Sequence, residues 1–428
     1  MKFPTTQTRR RFFQEITLGG VALGLTGCQT FSQRAKLTDN PKAVAGILTW
    51  YIKGSHADVL IGKILEGWAY DGGPGPNLRL ASLYVDQFPD GDMAREMAKK
   101  HGVRIFSTIE EAITLGTDRV AVDGILSIGE HGDYPWNEKE QHLYPRRRFF
   151  DAIATTLEKH DKVVPVFNDK HLGPEWDDAL WMYRRAQSLK IPFMAGSSLP
   201  VSYRKPDVAI PMGSPIEAAI GVGYSGLDIY GIHTLEVFQS FVERRHGGES
   251  GVKSVQWFGA EDMWALFDDG TLSTDVLEAA LNVTPKSNLE QDPRKLEGDG
   301  VGLFVFEYQD GLLGAVLMLP SYLQGCGVAI QIRGQKTPIA TMAEERKDPH
   351  YPHFAYLLKG IETMIHTGVP AYPVERTLLT TGILDRALTS RFEGGKKLLT
   401  PELKIGYRAV DYPNAPRPSL TKPYKQPA

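Results

Sequence analysis

Short segments of this chain bring together side chains able to do chemistry. In Asn168-Asp169-Lys170-His171 a lysine lies between a carboxylate and an imidazole, which suits either an ammonium tuned for proton transfer or a plain solvated lysine. His233 follows Tyr230-Gly231-Ile232 at the expected start of an amphipathic helix backed by Leu235, Phe238 and Phe241; it reads as an acid or base, or as a capping histidine. Gly129-Glu130-His131-Gly132-Asp133 and Ser55-His56-Ala57-Asp58 add imidazoles and carboxylates, and Gly196-Ser197-Ser198 adds hydroxyls. Asp86 stands where an acid would hold ribose hydroxyls, or equally where it would cap a helix starting near Asp92.

Apart from His233, these residues share a position: each follows an apolar run. Residues 44–48, 80–85, 103–106, 124–128, 163–167 and 191–195 read as strands, alternating with helical patterns over 58–68, 92–101, 109–115, 147–160 and 176–189. Such alternation predicts a doubly wound parallel sheet, whose crossovers bring the carboxyl-terminal loops to one edge where ligands bind. Beyond residue 205 the pattern changes. Leu303–Tyr308, Asp310-Gly311 and Leu312–Leu319 form a hairpin signature, Val328–Ile332 reads as another strand, and helices follow over 354–366 and 374–390. The expected fold is therefore α/β plus α+β: a Rossmann-like domain (43–204), then an open, mostly antiparallel sheet with helices on one face (205–408), then a Pro-rich tail (409–428). An open sheet face would suit a homo-oligomer.

The 428 residues include 48 basic and 51 acidic side chains, for a net charge of −3, which leaves no electrostatic footprint for nucleic acid or an anionic membrane surface. The two cysteines, Cys28 and Cys326, do not make a disulfide scaffold. Residues 1–28 read as an address: Arg9-Arg10-Arg11-Phe12-Phe13, an uncharged run from Ile16 to Leu25, then Leu25-Thr26-Gly27-Cys28. The arginine pair resembles a twin-arginine export signal and the last four residues a lipobox, in which Cys28 is lipidated. This predicts a bacterial protein exported by the twin-arginine machinery, periplasmic or membrane-anchored through its N-terminal lipid alone, with residues 29–42 as linker. Cys326 is left as a buried hydrophobe.

Taken together, these features resemble the Gfo/Idh/MocA family of sugar and cyclitol oxidoreductases. Asp169-Lys170-His171 occupies the place of the family's Glu-Lys-Pro, keeping the lysine, and Gly231 and His233 match its Asp-x-Gly-x-His segment, with Asp228 one residue from the acid position. The resemblance implies Lys170 and His233 near the reacting carbon, Asp228 as a third partner, and NAD or NADP as cofactor for a carbohydrate-like substrate. Lys53, Ser55, His56, Asp86, Glu130, His131 and Asp169 are assigned to the cofactor. The departure lies in the first turn, where a dinucleotide fingerprint needs glycines so that the backbone can approach a pyrophosphate. Here Trp50, Tyr51 and Ile52 stand in those places. Two alternatives follow: a redox-neutral or metal-dependent lyase or isomerase using His56, Glu130, His131, Asp133, Asp169 and His171 around a divalent ion, or a non-catalytic lipoprotein that binds carbohydrate or protein.

Substituting Cys28→Ser should abolish incorporation of labelled fatty acid and release the protein from the membrane fraction of an exporting bacterium. Labelling that survives the substitution contradicts the lipobox reading.

Overall fold

The computed structural model describes residues 40–425; Cys28, the export signal and most of the linker lie outside the described residues. The first half builds β1 (Lys42–Leu48), α1 (His56–Glu66), β2 (Leu78–Val85), α2 (Ala94–His101), β3 (Arg104–Phe106), α3 (Ile109–Thr114), β4 (Gly124–Ile128), α4 (Arg146–Lys159), β5 (Val166–Asp169), α5 (Trp176–Leu189) and β6 (Phe193–Gly196). The strands pair in parallel in the order 3-2-1-4-5-6, so the chain reverses direction between β1 and β4. That reversal is the point at which this architecture places its ligand crevice, at the carboxyl ends of the two central strands. β1 and β4 are apolar along almost their whole length because helices cover both faces. Helix starts follow local chemistry: Ser55 caps α1 through Asp58 N–H, and Thr108 with Glu111 closes a capping box on α3.

The second half supplies β7 (Tyr203–Lys205), β8 (Ile216–Gly223), α6 (Leu227–Val242), β9 (Val252–Gly259), α7 (Ala265–Asp268), α8 (Thr274–Val283), β10 (Gly302–Tyr308), β11 (Leu313–Met318), β12 (Cys326–Ile332), β13 (Ile339–Glu344), α9 (His353–Thr367), α10 (Val374–Phe392) and β14 (Leu398–Leu399). Its sheet runs β14-β9-β10-β11-β8-β12-β13-β7, and its pairs are antiparallel except β11 beside β8. The expected hairpin is β10–β11, with Gly311 at φ +90° in its turn.

Three expectations need correction. Helices cover both faces of the second sheet: along β11, Val316 and Met318 pack with Phe238 of α6, while Ala315 and Leu317 pack with Val276 and Leu277 of α8. Helix α8 thus covers part of the face expected to be open, over β8, β12 and β13. Helix α6 begins at Leu227, so His233 lies in its second turn, not at its start. Finally, the halves interleave. Helix α9 packs with α1, and the Pro-rich tail is tied down, with Ala415 N–H donating to Val201 O and Lys359 Nζ to Leu420 O. Cys326 is a buried free thiol beside Thr234, as expected.

Because α8 buries Leu277 against the outer face, Leu277→Ala should cost about 2–5 kcal/mol in urea unfolding, as for a buried leucine. A change within about 0.5 kcal/mol, typical of a surface position, contradicts that packing.

Candidate active site

The loops after β1, β4, β5 and β6 converge with the start of α6 on one polar cluster. At its centre the buried Glu130 carboxylate accepts from Lys170 Nζ at 2.8 Å through Oε1 and from Arg146 Nη2 through Oε2. Burial pushes this carboxyl up, but Lys170 and Arg146 overcome it and hold Glu130 well below the ordinary glutamate range. Lys170 also donates to Ile229 O at 3.1 Å, and Arg146 reaches His171 Nε2 at 3.2 Å. Lys170 sits in the left-handed region at φ +61°, a conformation a lysine holds only when its surroundings impose it. The backbone at Gly196 imposes part of it, since Lys170 N–H donates to Gly196 O. A side chain at Gly196 would meet Glu236 Oε2 at 2.6 Å and Thr377 Oγ1 at 2.8 Å.

Four histidines surround the triad. His56 Nδ1 lies 2.6 Å from Asp169 Oδ2, and His233 Nδ1 lies 2.5 Å from Ser197 Oγ; Leu199 N–H donates to that same hydroxyl oxygen. Ring centroids put His56 5.3 Å from His131 and 6.5 Å from His233. Burial, with Lys170 next, holds His233 well below its ordinary value; burial, with Arg146 next, does the same to His171; and burial lowers His131 to about 4. These three imidazoles are therefore neutral at pH 7. From the second half come Tyr230, whose ring lies 5.8 Å from Lys170 Nζ, and Tyr224, which donates to Glu345 at 2.8 Å. Burial raises the Glu345 carboxyl.

Of the residues assigned from sequence, Lys170, His233, Glu130, His131, His56 and Asp169 come together. Asp228 has a structural task as well: its Oδ2 accepts from His142 N–H at 2.9 Å and so fastens the long β4–α4 loop to α6, while its Oδ1 is buried without a partner and burial raises the carboxyl to about 6. Asp86 lies at the end of β2 as expected, but it accepts from Tyr84, Tyr134 and Arg148. The divalent-ion alternative finds no group of three His, Cys, Asp or Glu side chains arranged for a metal among the described residues. Arg146, Trp50, Tyr230 and Glu345 were not assigned. Arg146 had a signal, since three arginines in the first turn of a helix oppose its dipole and ask for carboxylate partners; Glu345, inside Glu344-Glu345-Arg346-Lys347, had none.

The turn after β1 tests the crevice for a dinucleotide. Tyr51 does not crowd it, because its ring is wholly buried in the core beneath the loop. Gly54, at φ +76°, makes the turn, Ser55 caps α1, Lys53 is exposed, and the first-turn amides of an 11-residue helix have no intrahelical partner. Across the crevice, Trp50 and His131 lie with ring planes 12° apart and centroids 6.5 Å apart. Trp50 Nε1 and His131 Nε2 are both buried without a partner, a cost that a polar ligand would relieve. The residues present fit a dinucleotide: Lys53, Ser55 and the α1 amides at a diphosphate, and Asp86 with Arg148 at a ribose.

No family model and no curated protein matches the sequence. Solved structures do match. GenD2 from gentamicin A biosynthesis, crystallised in complex with NAD, aligns over 85% of this chain and 97% of its own at 11% identity, with a TM-score of 0.53. A myo-inositol dehydrogenase from Corynebacterium glutamicum aligns over 84% of this chain and 98% of its own at 14% identity and a TM-score of 0.51. The fold is that of the Gfo/Idh/MocA dehydrogenases. A myo-inositol 2-dehydrogenase from Lactobacillus plantarum shares it, at 10% identity over 84% of this chain and 99% of its own, with a TM-score of 0.51. Within this fold, Lys170 follows β5 and His233 belongs to the helix after the first long strand of the second sheet.

Replacing Glu130 by Gln leaves Lys170 and Arg146 buried without their counter-charge and should cost about 3–5 kcal/mol at pH 7. Because the folded carboxyl is held low, its stabilisation is complete above the unfolded glutamate pKa of about 4.3 and is lost as pH falls through the depressed value. Urea titrations should therefore show the gap between wild type and Glu130→Gln closing only in acid. Equal stability at pH 7 contradicts the charge-bearing role.

Proposed function

We propose that the chain is an NAD(P)-dependent oxidoreductase acting on a hydroxyl of a sugar or cyclitol. The observation that carries this reading is the Lys170 ammonium, held by buried Glu130 beside neutral His233, at the strand ends next to a crevice that fits a dinucleotide. Two buried cations against one carboxylate leave a local positive excess, and a substrate oxygen next to Lys170 would be stabilised as it gains negative charge. A nicotinamide held in the crevice would supply hydride exchange at the carbinol carbon. The neighbouring imidazoles are available to move the hydroxyl proton, and Tyr230, Tyr224 and Glu345 close the substrate side with hydroxyls and a carboxyl suited to a polyol. The complex of GenD2 with NAD and the inositol dehydrogenases of the same fold support the cofactor and the substrate class. Export and a lipid on Cys28 belong to the same proposal and rest on the N-terminal sequence.

Binding of NADH and NADPH can be followed by energy transfer from protein tryptophan to the nicotinamide. Wild type should bind at least one of the two, and Asp86→Ala should weaken NADH about ten-fold, equivalent to about 1.4 kcal/mol. Absence of binding by both nucleotides contradicts the reading.

A further inference from the structure

The site holds more candidate bases than one hydroxyl needs, and their hydrogen bonds separate them. Lys170 has two of its three N–H donors engaged, by Glu130 and Ile229 O, so it is placed to donate. His233 is buried, with only 7% of its surface exposed, and its Nδ1 is engaged by Ser197 Oγ. His131 places its Nε2 in a buried position without partner. His56 differs on both counts. Its Nδ1 lies 2.6 Å from Asp169 Oδ2, and an ionised carboxylate only accepts, so the Nδ1 carries the proton and Nε2 keeps its lone pair. Asp169 is only 1% exposed, whereas the His56 side chain keeps 13% of its surface in solvent.

The ring is also fixed in place. His56 is the first residue of α1, its edge packs on Phe354 with centroids 4.9 Å apart, and His131 meets it edge-on from the other side. Asp169 ends β5 one residue before Lys170, so the base and the ammonium are held by the same strand end. His56 and His233, with ring centroids 6.5 Å apart, face the same cluster from opposite halves of the molecule.

We propose that His56, oriented by Asp169, is the residue that takes the proton from the substrate hydroxyl. The inference rests on the oxidoreductase reading and assigns to catalysis a histidine first read as cofactor-binding. In the oxidising direction the O–H bond breaks and its proton passes to His56 Nε2. The C–H bond breaks with its electron pair, which leaves as hydride to the oxidised pyridine dinucleotide, and the C=O bond forms. Alcohol and oxidised dinucleotide become ketone, reduced dinucleotide and one proton, which leaves through His56, 13% of whose side chain is in solvent. Asp169 is a positioning residue: it selects the tautomer and stabilises the imidazolium that forms.

The test uses the purified full chain without any assumed substrate. Brief treatment with diethylpyrocarbonate, mapped by peptide mass spectrometry, should modify His56 about ten-fold faster than His131, His171 or His233, and Asp169→Asn should slow His56 about ten-fold. In protein labelled with ¹⁵N-histidine, the His56 resonances, assigned by their loss in His56→Gln, should be those of a proton fixed on Nδ1 in wild type and of mixed tautomers in Asp169→Asn. Modification of His233 or His131 ahead of His56, or an Nε2–H tautomer at His56 in wild type, overturns the assignment and leaves the oxidoreductase reading standing. Failure of wild type to bind either dinucleotide overturns that reading, and the proton-transfer role with it, whatever the labelling pattern.

Discussion

A carboxylate buried between two cations is the constraint on which the rest of this site depends. Glu130 is out of contact with water, and an isolated charge there would cost several kcal/mol. Lys170 and Arg146 make the position tenable, and meeting them fixes the chain at three places at once: the end of β4, the left-handed residue after β5 and the first turn of α4. Thr49 adds a fourth by donating to Glu130 O at 2.6 Å. Removing any partner leaves the others charged and buried, so the cluster is an all-or-none unit.

The second half of the chain acts as the support for this unit. Thr377 of α10 donates to Ala195 O at 3.1 Å, and Thr381 accepts from Leu172 N–H at 3.2 Å, so one helix holds the loops after both β5 and β6. Glu236, one helical turn from His233, is wholly buried, accepts from Thr380 and stands against the side-chain-free face of Gly196. The long β4–α4 loop is tied to the same framework through Lys139 to Asp385 and His142 N–H to Asp228. A hydrophobic cluster runs without a break from Ile47 of β1 to Val316 of β11, so the two sheets position one site and do not act as independent domains.

Much of this was legible in the sequence because it is local. Unbroken apolar strands, caps such as Ser55 and Thr108, and the Asp310-Gly311 turn announce themselves within a few residues, and they place Lys170, Glu130 and His56 on one edge. What was not legible depends on partners far along the chain. His56 and Asp169 are 113 residues apart, and Tyr224 and Glu345 are 121 apart. Glu345 reads locally as surface charge, and nothing near Asp228 in sequence announces its bond to His142 N–H. The start of α6 was misplaced because the helix is buried nearly all round and shows little polar face to mark its register. The glycine-poor first turn misled in the other direction: Tyr51 looks obstructive in sequence, yet the fold turns it into the core.

The most direct measurement of the central claim is a crystal structure of the full chain with a pyridine dinucleotide bound. The account predicts the diphosphate at the first turn of α1, a ribose at Asp86 and the nicotinamide beside Lys170, with His56 and His233 on the open side. A dinucleotide bound elsewhere on the molecule, with the Glu130–Lys170–Arg146 cluster untouched, would contradict it.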